Sequence, residues 1–353
     1  MRKIAIMALL AAAHLVPLAA AGQTSAQSPV NPVKKPAQGK PWAAPKTAWG
    51  DPDLSGVFTN NDESLIPFER PAELAGRKLE DITPAELEKL IDERDAQRAE
   101  GDRNRAELRS PLHWFENILP NNSRAWLVSD PPDGKVPALT AEAQQRNAAR
   151  ARERAARGPA DSPEDRSLYD RCITRGIPGS MMPAIYGNAY EIVQGPGYVA
   201  ITYEMVHEAR VIPLTPAPHV GQAIRMYMGD AKGHWEGNTL VVETTNFTDK
   251  TAYRGSSENL TLTERFTRVA PDKVEWTSTF SDPHTWTASW TFGMNLTRKD
   301  DSQRPFEYAC HEGNYAMFHL LQAARADDKA AEEDAKKGIV RARTAGGGDE
   351  QER

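Results

Sequence analysis

The stretch LTLTERFTRVAPDKVEWTSTFSDPHTWTASWTFGMNLT, residues 260–297, decides the fold. Its apolar residues recur at every second position. Leu260, Leu262 and Phe266 share one face, against Thr261, Thr263, Arg265 and Thr267. Val274, Trp276 and Phe280 oppose Glu275, Thr277 and Thr279. Trp290, Phe292, Met294 and Leu296 oppose Thr291, Asn295 and Thr297. A period of two with one apolar face describes antiparallel strands that are wetted on one side.

Similar segments lie on either side. Residues 189–194 and 198–206 flank a Gly-Pro-Gly turn at 195–197, and 208–214 follows. Residues 234–235 and 239–247 flank Glu-Gly-Asn at 236–238, and 306–310 closes the series. About eight short strands in a row favour a closed barrel, because closure removes exposed sheet edges. The expected fold is therefore mainly β: an antiparallel barrel with a helical, loop-rich N-terminal arm and a C-terminal helix.

In the arm, Thr83-Pro84 with Glu86 forms a capping box opening a helix that runs to about residue 99. Thr140 caps a second helix, with Glu142 near its start and Arg150, Arg152 and Arg154 toward its end, in the order the helix dipole favours. The basic run at 146–157 reads as a solvated helix face, since acidic residues follow at once. Residues 100–138 read as loop and 165–174 as a short helix. Residues 314–336 read as a helix with Met317, Leu320 and Leu321 on its apolar side.

The chain starts with a basic pair, Arg2 and Lys3, then an apolar run to Ala21. Small residues at Ala19 and Ala21 fit a signal-peptidase site, with Ala26 as a later one. This order predicts an exported protein, periplasmic or secreted after cleavage near Ala21 or Ala26. No later stretch is apolar enough to span a bilayer. The division expected is a signal peptide at 1–21, a disordered leader at 22–48, the arm at 49–164, the barrel with its helix at 165–336 and a disordered tail at 337–353.

Of 353 residues, 43 are Lys or Arg and 49 are Asp or Glu, a net charge of −6. Removal of the signal would take this to −8. Such a balance argues against a nucleic-acid partner. The 2 cysteines exclude a disulfide-rich scaffold and a four-thiolate zinc site. In an oxidising compartment Cys172 and Cys310 are expected to pair.

The segments GDAKGHWEGNTLVVETTNF (229–247), RGSSENLTLTERFTRV (254–269) and FEYACHEGNY (306–315) resemble a family of exported bacterial proteins of uncharacterised function, as does PDLSGVF (52–58). The resemblance covers most of residues 49–325. The strand series is also similar in layout to lipocalin-like (calycin) barrels, whose interiors often hold small apolar ligands. The resemblance implies a fold and no catalytic residue.

Candidate chemistry starts with Glu264, which falls on the apolar face between Leu262 and Phe266. A buried carboxylate is paired or titrates abnormally, so Glu264 reads as a general acid or base, as half of a structural ion pair with an inward Arg, or as a residue that a bulge turns outward. His207, Glu208 and Arg210, and His311 with Glu312, stand at strand ends, where a proton could be moved or a charge stabilised. They read equally well as hydrogen-bonded groups closing the barrel. Arg225, Asp230, Trp235, Trp276, Trp286, Trp290 and Tyr308 are candidate ligand contacts, with aromatic core as the plainer reading. The scattered histidines show no metal-binding spacing, and no nucleotide loop or nucleophile elbow is present, so no metal and no cofactor is assigned.

Three functions stay open at this level. The first is binding of a small organic, apolar or aromatic molecule inside the barrel. The second is cofactor-independent acid–base catalysis on such a molecule by a lyase, isomerase or hydrolase. The third is envelope scaffolding. Convergence of Glu264, His207, Arg225 and His311 in one pocket would favour catalysis.

Overall fold

Alternation of β-branched and aromatic residues with polar ones builds the ten strands of a single antiparallel sheet, nine of them in the ring order, in a computed structural model that describes residues 42–107, 121–184, 186–300, 302 and 304–339. The signal segment, most of the leader and most of the tail lie outside the described residues. In chain order the strands are β1 (Gly56–Thr59), the short β2 (Val128–Asp130), β3 (Ala189–Gly195), β4 (Tyr198–Tyr203), β5 (Ala209–Pro213), β6 (Asp230–Glu236), β7 (Thr239–Thr245), β8 (Thr261–Ala270), β9 (Lys273–Ser281) and β10 (Trp290–Arg298). Three α-helices are described: α1 (Pro84–Glu107), α2 (Ala141–Ala155) and α3 (Ala316–Lys336). None is long and apolar enough to cross a membrane.

The order round the barrel is β5-β4-β3-β1-β10-β9-β8-β7-β6. The ring is nearly closed. No ladder joins its two end strands, which meet through side chains. Gly233 of β6 has no Cβ, and one added there would lie 2.8 Å from Ile212 Cγ2 and 2.9 Å from Leu214 Cδ2. A glycine is thus what lets β5 press against the edge of β6.

The arm contributes two pieces of the wall. β1 pairs with β3 on one side and with β10 on the other, Phe58 opposite Tyr190 and Arg298. Farther along β10, β2 takes the same edge, with Val128 opposite Phe292. β1 brings the ring to nine members, one more than the alternating segments of the later sequence suggest, and β2 is a tenth strand that lies off the ring order and pairs with β10 alone.

The alternation sets the faces as the sequence implies. Leu262, Glu264, Phe266 and Arg268 point inward from β8, and Val274, Trp276, Ser278 and Phe280 from β9. The interior is a stack of rings. Phe280 lies parallel to Trp290 at 4.1 Å, Trp276 meets Phe292 edge-on at 5.4 Å, and Phe266 stacks on Trp276 at 6.3 Å. Each such pair adds roughly 0.5–1.5 kcal/mol beyond its buried area.

Two local expectations are corrected. Residues 306–310 form no strand: Phe306 stays 80% exposed, Ala309 has φ of 25°, and Cys310 is tied to Cys172. The segment 165–174 is a series of turns instead of a helix, with Cys172 at φ 57°. Both departures centre on the disulfide Cys172–Cys310, whose Cα atoms are 5.8 Å apart. The arm helices follow their caps. Thr83 and Glu86 bond reciprocally at the start of α1, and Thr140 Oγ1 accepts from Ala143 N at 3.1 Å at the start of α2.

Candidate functional site

Glu264 of β8 lies wholly buried in the barrel interior, and Arg210 of β5 pairs with it there. The pairing is bidentate: Nη1 donates to Oε2, and Nη2 donates to Oε1 at 3.2 Å. Trp276 Nε1 also donates to Glu264 Oε1, at 3.1 Å. Burial opposes the Arg210 charge, yet the Glu264 carboxylate raises its pKa overall. Tyr203, buried beside the pair, has its phenol pushed up by burial. A charge pair sealed in this way ties β5, one end of the ring, to β8. It presents no group to solvent.

The other candidates scatter. His207 is exposed in the tight turn between β4 and β5, where Val206 and His207 both have positive φ. His311 and Glu312 are exposed beyond the disulfide. Arg225 donates to the Glu258 carbonyl, and Asp230 accepts from Val220 N and lies 2.9 Å from His219 Nδ1. Trp235 is half-buried against the core, and Trp276 and Trp290 are sealed within it. No hydrogen bond or ion pair joins any two of Glu264, His207, Arg225 and His311 among the described residues. Likewise, no three His, Cys, Asp or Glu side chains there gather closely enough to hold a metal ion.

Open space occurs at one mouth of the barrel, the end that carries the β7–β8 and β9–β10 connections. Here α2 is fastened across the opening. Thr140 N donates to Thr285 O at 2.9 Å, and Arg146 Nη2 donates to Thr285 Oγ1 at 2.8 Å and Gly255 O at 3.0 Å. Between α2, residues 163–183 and the turn 249–255 lie two adjoining cavities of about 690 and 970 Å³. They share Arg150, Glu153, Arg154, Glu164, Arg166 and Arg254.

The floor of this cleft is apolar, formed by Phe68, Ile177, Met182 and Tyr253, with the buried Trp286 lining the second cavity. Tyr253 stacks on Phe280 at 5.5 Å, so the floor continues the ring stack of the interior. Burial pushes the Tyr253 phenol up to about 12. The walls are basic. Arg150 pairs with Asp249 at 3.4 Å, Arg166 with Asp170 at 3.0 Å, Arg171 with Glu164 at 3.8 Å, and Arg157 with Asp165. Arg154, Arg175, Lys250 and Arg254 have no carboxylate within 4.0 Å among the described residues.

Glu208 stands behind this wall. Thr174, which lines the cleft, donates to Glu208 Oε2 at 2.7 Å. Burial raises the Glu208 pKa against the pull of that hydrogen bond. Beside it the disulfide brings Tyr308 to Tyr169 and Tyr186, with hydroxyl separations of 2.9, 3.1 and 3.3 Å in a triangle. Burial pushes the Tyr308 phenol up to about 12.

The sequence reading named Glu208, Trp286 and Tyr308 in this neighbourhood and missed Phe68, Arg175, Tyr253 and Arg254. A signal was present in the arginines at 150–157 and at 166, 171 and 175, but nothing in the sequence places the two groups together.

No family model matches the chain, and no curated protein does. Among solved structures the chain is similar to a secretary abundant heat soluble (SAHS) protein from Ramazzottius varieornatus. That match has 12% identity over 38% of this chain and 87% of that one, with a TM-score of 0.22. It is similar also to a point mutant of the fluorescent protein UnaG, at 11% identity over 37% and 86%, again with a TM-score of 0.22.

Proposed function

We propose that this is an exported barrel protein that binds a small organic molecule with an apolar or aromatic body. The ligand sits in the mouth cleft, on Phe68, Ile177, Met182 and Tyr253, and the axis of the barrel is given over to side chains. The observation that carries this reading is the aromatic-floored cavity of about 690 Å³, which falls within the roughly 300–1,000 Å³ of small-molecule sites. Export is supported by the basic–apolar–small order of residues 1–21 and by the disulfide.

Titration of the purified chain with a panel of aromatic and terpenoid compounds, read by tryptophan fluorescence, tests the reading. Trp286 lines the cleft and meets Phe280 and Trp290 edge-on, so an occupant should alter its emission. Tyr253→Ala removes part of the floor and should weaken binding by about tenfold, the scale of roughly 1.4 kcal/mol from one lost ring contact. Unchanged affinity in that variant would reject the cleft.

One observation favours acid–base catalysis as a second reading: Glu208, with its raised pKa, is one hydroxyl away from the cleft through Thr174. Glu208→Gln should then abolish turnover of a bound compound while leaving its affinity intact. Full turnover in that variant would remove Glu208 from the chemistry.

A further inference from the structure

We infer that the mouth cleft takes an anionic ligand: an aromatic molecule bearing a carboxylate, sulfonate or phosphate group. This deepens the binding role proposed above and rests on it.

The chain as a whole is acidic, at −6, yet the cleft at the barrel mouth is basic. Four cations with no carboxylate in reach share one wall-and-floor system: Arg154 on α2, Arg175 on the segment 163–183, and Lys250 and Arg254 on the turn 249–255. They come from three separate parts of the chain, so no single local pattern accounts for the cluster. Glu153 is the acidic neighbour on α2 that lines the same space without an ion-pair partner, and it leaves the balance positive. Like charges crowded together cost free energy until an anion joins them, and a low-dielectric floor strengthens their field.

The two best-placed arginines are held by rings. The Arg254 guanidinium lies 4.1 Å from the centre of the Phe68 ring, and that of Arg175 lies 5.5 Å from the centre of the Tyr169 ring. A ring orients a guanidinium by its face without neutralising it. Arg254 also reaches the Tyr253 hydroxyl, and the in-plane N–H donors that remain form the fork that matches a carboxylate, sulfonate or phosphate. Arg254 also sits at φ 49°, a backbone conformation that non-glycine residues rarely adopt. Strain of this kind persists where the surrounding structure enforces it, and it clusters at ligand sites. The anionic head meets these cations while Phe68, Ile177, Met182 and Tyr253 receive the rings.

Two dyes with the same aromatic body test the inference on the full chain with its disulfide intact. 1-Anilinonaphthalene-8-sulfonate carries the anion, and N-phenyl-1-naphthylamine lacks it. The sulfonate should bind at least tenfold more tightly, with an affinity that falls as salt rises. Arg175→Gln combined with Arg254→Gln should cost the sulfonate about tenfold or more and change the neutral dye less than twofold. Competition by benzoate and by phenyl phosphate then assigns the head group, and displacement by either supports the inference. Equal affinity for the two dyes would overturn the anionic ligand and leave the binding role standing. A preference for the sulfonate that survives the double substitution would overturn the site. Displacement by inorganic phosphate but by neither aromatic acid would overturn the aromatic body. Failure of both dyes to bind would overturn the binding role and this inference with it.

Discussion

The barrel interior and the cleft at its mouth both hold arginines, under opposite conditions. Arg210 is sealed in the interior with one bidentate carboxylate partner and an indole N–H completing the group. Arg154, Arg175 and Arg254 line open space with no acid in reach, two of them laid on rings. A charge fully removed from water has to be matched, and the match makes it structural. A half-exposed charge can remain unmatched at modest cost, which leaves it available to a ligand. The comparison teaches that buried polarity alone, the property that singles out Glu264 in the sequence, is a poor guide to function here. Surplus charge beside an apolar floor is the better one.

The comparison breaks most readily at the disulfide, which joins the cleft wall at Cys172 to the chain beyond the barrel at Cys310. A bridge that closes a loop of 138 residues should stabilise by about 4–5 kcal/mol in the chain-entropy account. Urea unfolding with and without reductant measures it. Hydrogen exchange on the reduced protein should show residues 163–183 losing protection before β8 and β9. Uniform loss across the molecule would mean that the cleft wall and the interior are not separable.

Glu264 gives the next largest effect. Glu264→Leu strands Arg210 in the interior and should cost about 3–5 kcal/mol. Arg210→Met together with Glu264→Leu removes both charges and should recover most of that loss. Denaturant midpoints of the single and double variants decide it. A single variant as stable as the parent would show that the pair does no structural work, and would return Glu264 to the list of catalytic candidates.

The two regions also differ in how much of them was legible. The interior could be read because a strand's faces follow from a period of two: the inward residues of β8, β9 and β10 come straight from 260–297. Even the Glu264 partner was foreseeable in kind, as an inward arginine, though not as Arg210. The ninth strand was harder, because β1 carries four residues and pairs only by returning from the arm. The cleft was not legible. Its walls come from α2, from turns fixed by a disulfide, and from a turn with Arg254 at positive φ, and none of these has a periodic signature. The basic run of α2 reads as a solvated face because a sequence shows only which residues neighbour it along the chain. Arg254 and Phe68, 186 positions apart, meet only when the barrel has formed.

The smallest effect concerns Glu208, at the border between the two regions. Burial raises its folded pKa above that of the unfolded chain, about 4.3 for a free Glu side chain. A carboxyl of this kind holds its proton better when folded. Its stabilising contribution is therefore complete below the unfolded value and is lost as pH rises through the folded one. Glu208→Gln copies the neutral form at every pH. Its melting temperature relative to the parent should climb from about pH 4 upward and then level off, and the level marks the folded pKa. Glu86 and Asp165, both held down to about 2, the first by Arg77 and the second by Arg157, act in the opposite sense but are common to both proteins and cancel in the difference. Glu63, raised by burial in the arm, cancels in the same way. A flat difference would mean that Glu208 is as well solvated as a surface carboxylate. The wall behind Thr174 would then be open to water, and the line drawn here between a sealed interior and an open mouth would have to move inward.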